Sequence, residues 1–486
     1  MIAKASKQVP HFQAIRSGVP YSSLDVAEVR DVRTGEILAE VSQVNAGVPR
    51  RDLLLSNRGK AKPRTFFNGL TAKELVEKTK QAGEIYLNGE IEIEGYGAQD
   101  SQAYIELLSG STGLPKSLCL LNMEKVYYVL THVEGVIEGL SRGLDLTIFD
   151  NNEIEHLGVP VCIYPEGEEL AVILPSNSPG VNALWIPAIA MKVPVILKPG
   201  REDPWTPYRL IQSMVQAGIP KEVFSFYPTD HAGSEAIVEL SGRSIVFGGD
   251  ATVKKYASNP NVETHGTGRS KILIGEDLIE NWRDYLDVLV KSVAANGGRS
   301  CINTSCIVVP KYGDEIAQAI AEAFAKIEAK SLDDPEAGLA GFANPTMAEW
   351  IDQSIDEGLE TSGAIDLTTK LRGPGTRKVE LENMTYLLPT VVRCDSLEHP
   401  LGNTEFLFPY VSVVEMPQTQ MIDNIGFTLV ATAITNDEHW KKELLQTRHI
   451  DRLNFGPMPT CIVKWEMPHE GNLFEFLFKR RALMRA

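Results

Sequence analysis

The 486-residue chain is short of positive charge: 47 lysines and arginines against 64 acidic residues leave a formal net charge of −17. That excess repels polyanions. It excludes nucleic acid and anionic membrane as main partners, while leaving room for a local basic pocket for a phosphorylated cofactor. Clustered cysteines are also missing. Cys119, Cys162, Cys301, Cys306, Cys394 and Cys461 never fall within four residues of one another, so there is no CxxC zinc or redox motif, and no metal site is expected. The thiols read as reduced and the protein as cytoplasmic. Long hydrophobic runs are absent too. The longest, Val181 to Leu197, is broken by Pro187, Lys192 and Pro194, and predicts a buried helix followed by a buried strand rather than a membrane span. Met1 to Pro20 holds no continuous apolar stretch, so no secretion signal is expected. We find no internal repeat and no low-complexity tract.

What remains is an ordinary globular composition, 43% hydrophobic and 23% charged, large enough to bury a core without disulfides. Residues 1 to about 90 read as mixed and strand-rich, as in the alternating Glu36 to Ser42. Gly89 to Gly95 alternates at period two and predicts an exposed strand. Residues 120 to 144 have helical spacing with a stop near Gly143. Strands at 170–174, 193–197, 223–226 and 244–247 then alternate with helices at 181–191, 206–217 and 231–240, the signature of a parallel sheet with helices on its faces. A second α/β block runs from about 271 to 450, with a strand at 307–309, a helix at 313–330 and a strand at 411–415. Residues 331–345 and 371–378 are loop-like. Leu108-Ser-Gly-Ser-Thr-Gly-Leu-Pro-Lys116 matches the phosphate loop of adenylate-forming ligases, but no other ligase element accompanies it, so a polar Gly/Pro loop is expected.

The stretch Asn296-Gly297-Gly298-Arg299-Ser300-Cys301 carries the most chemistry. It sets one cysteine on a glycine-flexed turn between an amphipathic run and an apolar strand. A thiol there can face a pocket and attack a carbonyl, with its backbone N–H beside the oxyanion that forms.

Together with segments elsewhere, this stretch resembles the aldehyde dehydrogenase superfamily over roughly residues 140 to 480. Pro175-Ser-Asn177-Ser-Pro179 is similar to the family's Pro-x-Asn-x-Pro turn, which implies that Asn177 donates to the oxyanion on Cys301. Taken alone, Asn177 reads equally well as stabilising its own turn. Lys198, in Val-Ile-Leu-Lys198-Pro-Gly-Arg201, matches the lysine that contacts the adenosine ribose. Arg201 stands where NAD-preferring members have glutamate. It leans the expectation from NAD towards NADP, although Glu202 and Asp203 follow it and a solvated arginine is the alternative. Phe247-Gly248-Gly249 resembles the Phe-x-Gly-Ser turn beneath the pyrophosphate, with Gly249 in place of the serine. Glu405, in Asn403-Thr-Glu405-Phe-Leu-Phe-Pro409, matches the glutamate on the nicotinamide ribose. Asn454-Phe-Gly-Pro457 matches a late strand end.

One departure bears on the reaction. The family's water-activating glutamate falls at His265, in Thr264-His265-Gly-Thr-Gly-Arg269, or between Glu263 and His265. Loss of that carboxylate is typical of members that pass the acyl group to a thiol. The long region before residue 140 is similar to the acyl-CoA reductase branch that includes bacterial luminescence fatty-acid reductases. The resemblance therefore implies an NAD(P)-dependent enzyme interconverting an aldehyde and an acyl-CoA, with coenzyme A as co-substrate. Two alternatives stay open: a hydrolytic aldehyde dehydrogenase in which a neutral His265 or Glu263 activates water, and a catalytically silent scaffold. The implied fold is α/β, with a Rossmann-type cofactor domain (91–145 and 165–268) and a catalytic domain (269–450). An N-terminal mixed region (1–90) precedes them, and small oligomerisation strands (146–164 and 451–486) would serve a homodimer or homotetramer. Trp205, Trp282, Phe406 and Phe408 either line an acyl channel or, as most such residues do, pack the core.

Overall fold

The computed structural model describes residues 9–57, 62–93, 97–372 and 376–485. They fall into two compact units. One draws on Met1–Ser111, Cys119–His265 and Trp465–Ala486, the other on Thr112–Leu118 and Gly266–Lys464.

The first unit is built on five parallel strands. Their spatial order is Val262–His265, Arg243–Phe247, Leu170–Ile173, Val195–Lys198 and Phe224–Phe226. Leu170, Ala171 and Val172, like Val195, Ile196 and Leu197, are buried on both faces, as a sheet covered on both sides requires. The expected helices form at Trp205–Gln216 and His231–Leu240. The second starts at Asp230, whose side chain accepts the Gly233 N–H. The order runs outward in both directions from Leu170–Ile173, which makes the C-terminal ends of the central strands a ligand crevice. Ala14–Arg16 and Val19–Tyr21 extend the sheet antiparallel beyond Phe224–Phe226.

Three sequence expectations change in this unit. The single helix at 181–191 is instead a 3₁₀ turn, Pro179–Leu184, followed by the short helix Ile186–Ala190, because Pro187 lacks the N–H a continuous helix needs and takes a first-turn position. The ligase-like segment is a loop only at Gly113-Leu114-Pro115: Leu108–Thr112 ends the helix Ser101–Thr112, Lys116 opens the helix Lys116–Thr131, and Ser109, Ser111 and Thr112 are buried. The strand at 89–95 is observed as Ile91–Ile93, paired with Gly97–Gln99. It is not exposed, since Ile91 and Ile93 are buried and only Glu92 faces solvent, the inward half of a period-two pattern. Gly95 lies outside the described residues. A small antiparallel sheet joins Glu153–His156, Val159–Pro165 and Phe478–Arg481.

The second unit holds a seven-stranded sheet ordered Ala364–Asp366, Thr390–Cys394, Tyr410–Glu415, Thr304–Val309, Ser270–Ile274, Thr428–Ile434 and Ile450–Phe455. Only the first strand runs antiparallel. The helix read at 313–330 ends at Phe324. Ile450–Phe455 pairs with Thr428–Ile434 and forms the outer strand of this sheet, and Cys461–Trp465 is turn and loop. Trp205, Trp282, Phe406 and Phe408 are all buried. Trp282, Phe406 and Phe408 belong to hydrophobic clusters of the second unit, while Trp205 packs edge-on against Phe12 at 5.0 Å. The core reading holds for all four. Among the described residues no helix is long and apolar enough to cross a membrane.

Candidate active site

In the first unit the crevice is lined by three adjacent turns. Asn177 is half-buried on the turn that follows Leu170–Ile173. Lys198 ends the neighbouring strand, and the Leu174 N–H donates to its carbonyl at 2.9 Å. The two turns are clipped together where the Glu202 N–H donates to Ser176 Oγ at 3.1 Å. Gly200 makes this approach possible, because a Cβ there would sit 2.3 Å from Ser176 Oγ. Burial lowers the pKa of Lys198, with Glu202 opposing the shift, so its ammonium sits in a partly dry place suited to polar ligand atoms. Arg201 is exposed. The third turn is Gly248-Gly249, after Arg243–Phe247. A Cβ on Gly248 would press on Thr252 at 2.6 Å, whereas around Gly249 nothing lies within 4 Å. Bare backbone with room above it, at the same sheet end as Lys198 and one strand removed from it, fits the phosphates and hydroxyls of a dinucleotide. Asp250, which opens the following helix, adds a negative charge there.

His265 ends the outermost parallel strand, in register with Phe247. Its side chain is 2% exposed and sits between two carboxylates. Nε2 lies 3.0 Å from Glu263 Oε1, and Nδ1 meets Glu470 Oε2 as an ion pair rather than an aligned hydrogen bond. Burial alone would lower the imidazole pKa. Glu470 and Glu263 outweigh burial and raise it to about 9. Near pH 7 His265 is therefore an imidazolium with no lone pair to take a proton, so the expectation of a neutral basic histidine does not fit this surrounding. Glu470 was invisible in the sequence. It sits on a tight turn with φ +50°, just before the helix Leu473–Leu477, and Gly471 beside it leaves no space for a side chain against Glu263. No spacing rule links Glu470 to a histidine so far away in the chain.

In the second unit the Cys301 turn is stiffly held. Asn296, Gly297 and Gly298 are consecutive left-handed residues at φ +54°, +64° and +70°. Gly298 packs backbone to backbone, since a Cβ would lie 2.3 Å from Phe408 C and Pro409 N. Asn303 Oδ1 accepts the Ser300 N–H at 2.9 Å, while its amide donates to the Ser292 and Ala295 carbonyls. Arg299 donates to the Thr112 and Gly341 carbonyls. Cys301 itself is half-buried, and its carbonyl accepts from Ser270 Oγ at 2.9 Å. By contrast Cys306 and Cys394 are fully buried, and burial raises both thiols, Cys394 to about 12. Glu405 is bound rather than solvated: its Oε2 accepts the Arg269 N–H at 2.6 Å. Lys271 follows, wholly buried, donating to the Arg269 carbonyl at 2.7 Å and to Thr428 Oγ1 at 3.1 Å. Burial brings its pKa down to about 8. The structure thus gathers Asn177, Lys198, Arg201, Gly248, Gly249 and His265 in the first unit, and Cys301 and Glu405 in the second.

The model of the aldehyde dehydrogenase family matches residues 160–445. The chain belongs to this family. As a curated relative, N-succinylglutamate 5-semialdehyde dehydrogenase of Vibrio cholerae serotype O1 is 24% identical over 288 residues, which cover 55% of this chain and 56% of the relative. The chain spans about half the length of the curated relatives it matches. Two solved structures share its fold. The aldehyde dehydrogenase KauB from Pseudomonas aeruginosa has a TM-score of 0.78 at 18% identity, covering 99% of this chain and 98% of that one. An indole-3-acetaldehyde dehydrogenase with bound NAD+ has a TM-score of 0.78 at 17% identity, covering 97% and 96%.

Proposed function

We propose that this aldehyde dehydrogenase interconverts an aldehyde and an acyl thioester through Cys301, with a free thiol such as coenzyme A rather than water taking the acyl group. The observation that supports the second half of the reading is His265: at the position where the resemblance puts the water-activating glutamate, the ring is buried between Glu263 and Glu470, whose charges raise its pKa and favour the imidazolium. In the oxidative direction the Cys301 thiolate adds to the aldehyde carbonyl. The Cys301 backbone N–H holds the oxyanion, and the family resemblance assigns the Asn177 amide the same role. A bound nicotinamide dinucleotide supplies the hydride acceptor, or the donor in reverse, with Lys198, the Gly248-Gly249 backbone and Glu405 as its holders. Loss of hydride leaves a thioester on Cys301. An incoming thiolate then adds to that carbonyl, the Cys301–acyl bond breaks, and acyl thioester and thiolate separate. The same steps reversed reduce acyl-CoA to aldehyde.

A hydrolytic second half is the rival reading, and the names of the relatives favour it, since N-succinylglutamate 5-semialdehyde dehydrogenase is named for aldehyde oxidation. In that case Glu263 or Glu470, rather than His265, would have to accept the proton from water. Initial rates of aldehyde oxidation with and without coenzyme A, under NAD+ and NADP+ in turn, separate the two. A rate at least about tenfold higher with coenzyme A, with acyl-CoA as product, is expected. Fast formation of free acid that ignores coenzyme A would overturn the thiol reading. Cys301→Ala should abolish turnover in both cases and leave cofactor binding nearly intact.

A further inference from the structure

A cavity of about 400 Å³ opens on the first unit, beside the hairpin Ala14–Tyr21 and the helix Gly47–Asn57. Its size is that of a small-molecule site. Val19, Tyr21, Leu53, Phe66 and Ile196 give it apolar walls. Glu169 lies in its lining, at the N-terminal entry of the strand Leu170–Ile173, the opposite strand end from Asn177. Glu169 is 9% exposed, and its carboxyl makes no hydrogen bond among the described residues. The other charges are already matched. Arg16 Nε donates to Asp52 Oδ2 at 2.7 Å, the guanidinium lies over the Tyr21 ring at 5.2 Å, and Tyr227 Oη donates to the same Asp52 oxygen at 3.0 Å. The neighbouring Glu168 acts on the buried Arg64.

A buried carboxylate without a counter-ion is costly, and a protein keeps one chiefly where something else supplies the charge. Burial, with Glu168 adding to it, holds the Glu169 pKa up at about 7, the behaviour of an acid lacking a partner. We propose that this cavity binds a small organic monocation, an ammonium on an apolar body, with Glu169 as its counter-ion and Tyr21, Leu53 and Phe66 around the apolar part. Arg16 and Asp52 pair with each other, so they add no net charge to compete with Glu169.

Phenethylammonium and its neutral counterpart 2-phenylethanol, titrated into the full-length protein and followed by ligand NMR, test the pocket. The ammonium should saturate one site at least about tenfold more tightly than the alcohol, the factor that 1.4 kcal/mol represents. Glu169→Gln should erase that preference while leaving the melting temperature unchanged or higher, because a buried charge without a partner has been removed. Val19→Trp, at an exposed position of the lining, should block both probes. Equal affinity for the two probes would overturn the proposal. So would a cation preference that survives Glu169→Gln, binding unchanged in Val19→Trp, a markedly lower melting temperature in Glu169→Gln, or no saturation by about 10 mM, beyond the millimolar range.

Discussion

Replacing Glu470 by glutamine tests the state of His265 directly. Glu470 and Glu263 together raise the histidine from its ordinary value of 6.5 to about 9 despite complete burial. A group whose folded pKa is raised stabilises the protein fully below the unfolded value. It loses that contribution as pH climbs through the folded value. The window here is pH 6.5 to 9. At 1.36 kcal/mol per pKa unit the contribution is about 3 kcal/mol. Glu470→Gln leaves only Glu263 to oppose burial, so the His265 pKa should fall and most of the pH-dependent term should disappear. The assay is thermal unfolding of wild type and variant at steps from pH 6 to 9.5. Wild type minus variant should shrink by about 5 °C across the window, taking the lower end of the usual conversion for a large unit. Histidine NMR should show the wild-type imidazolium surviving at pH 8. Parallel unfolding curves, or a neutral His265 at pH 7, would refute the charged triad and reopen the histidine as a base.

Three further outcomes follow from the same geometry. Gly298→Ala forces a Cβ into the Phe408–Pro409 backbone at φ +70°, so it should lower stability by about 1–3 kcal/mol and cost activity more than cofactor affinity, read by unfolding and by kcat/KM. Asn177→Ala should lower kcat by about 10²- to 10³-fold with cofactor affinity little changed, as loss of an oxyanion donor does. Arg201→Ala should raise KM for NADP(H) about tenfold and leave KM for NAD(H) nearly unchanged if this exposed arginine pairs with the 2′-phosphate, and equal effects on both cofactors would remove it from the site.

The sequence by itself determined the parallel sheet of the first unit and most of its helices. Runs such as Leu170 to Leu174 and Val193 to Leu197 can be buried on both faces only in that arrangement, and their periodicity is local. It also determined the Cys301 turn, because Asn296-Gly-Gly accepts left-handed backbone angles that few residues adopt, and the structure uses all three of them. It failed where the deciding partner is distant or the chemistry is shared. The Ser-Gly-Ser-Thr stretch looks like a polar loop, yet its hydroxyls are buried in a helix. His265 read as a possible neutral base, because nothing near it in sequence announces Glu470. Only the folded chain sets that carboxylate against the ring, away from water, where electrostatic attraction exceeds the cost of burial and fixes the proton.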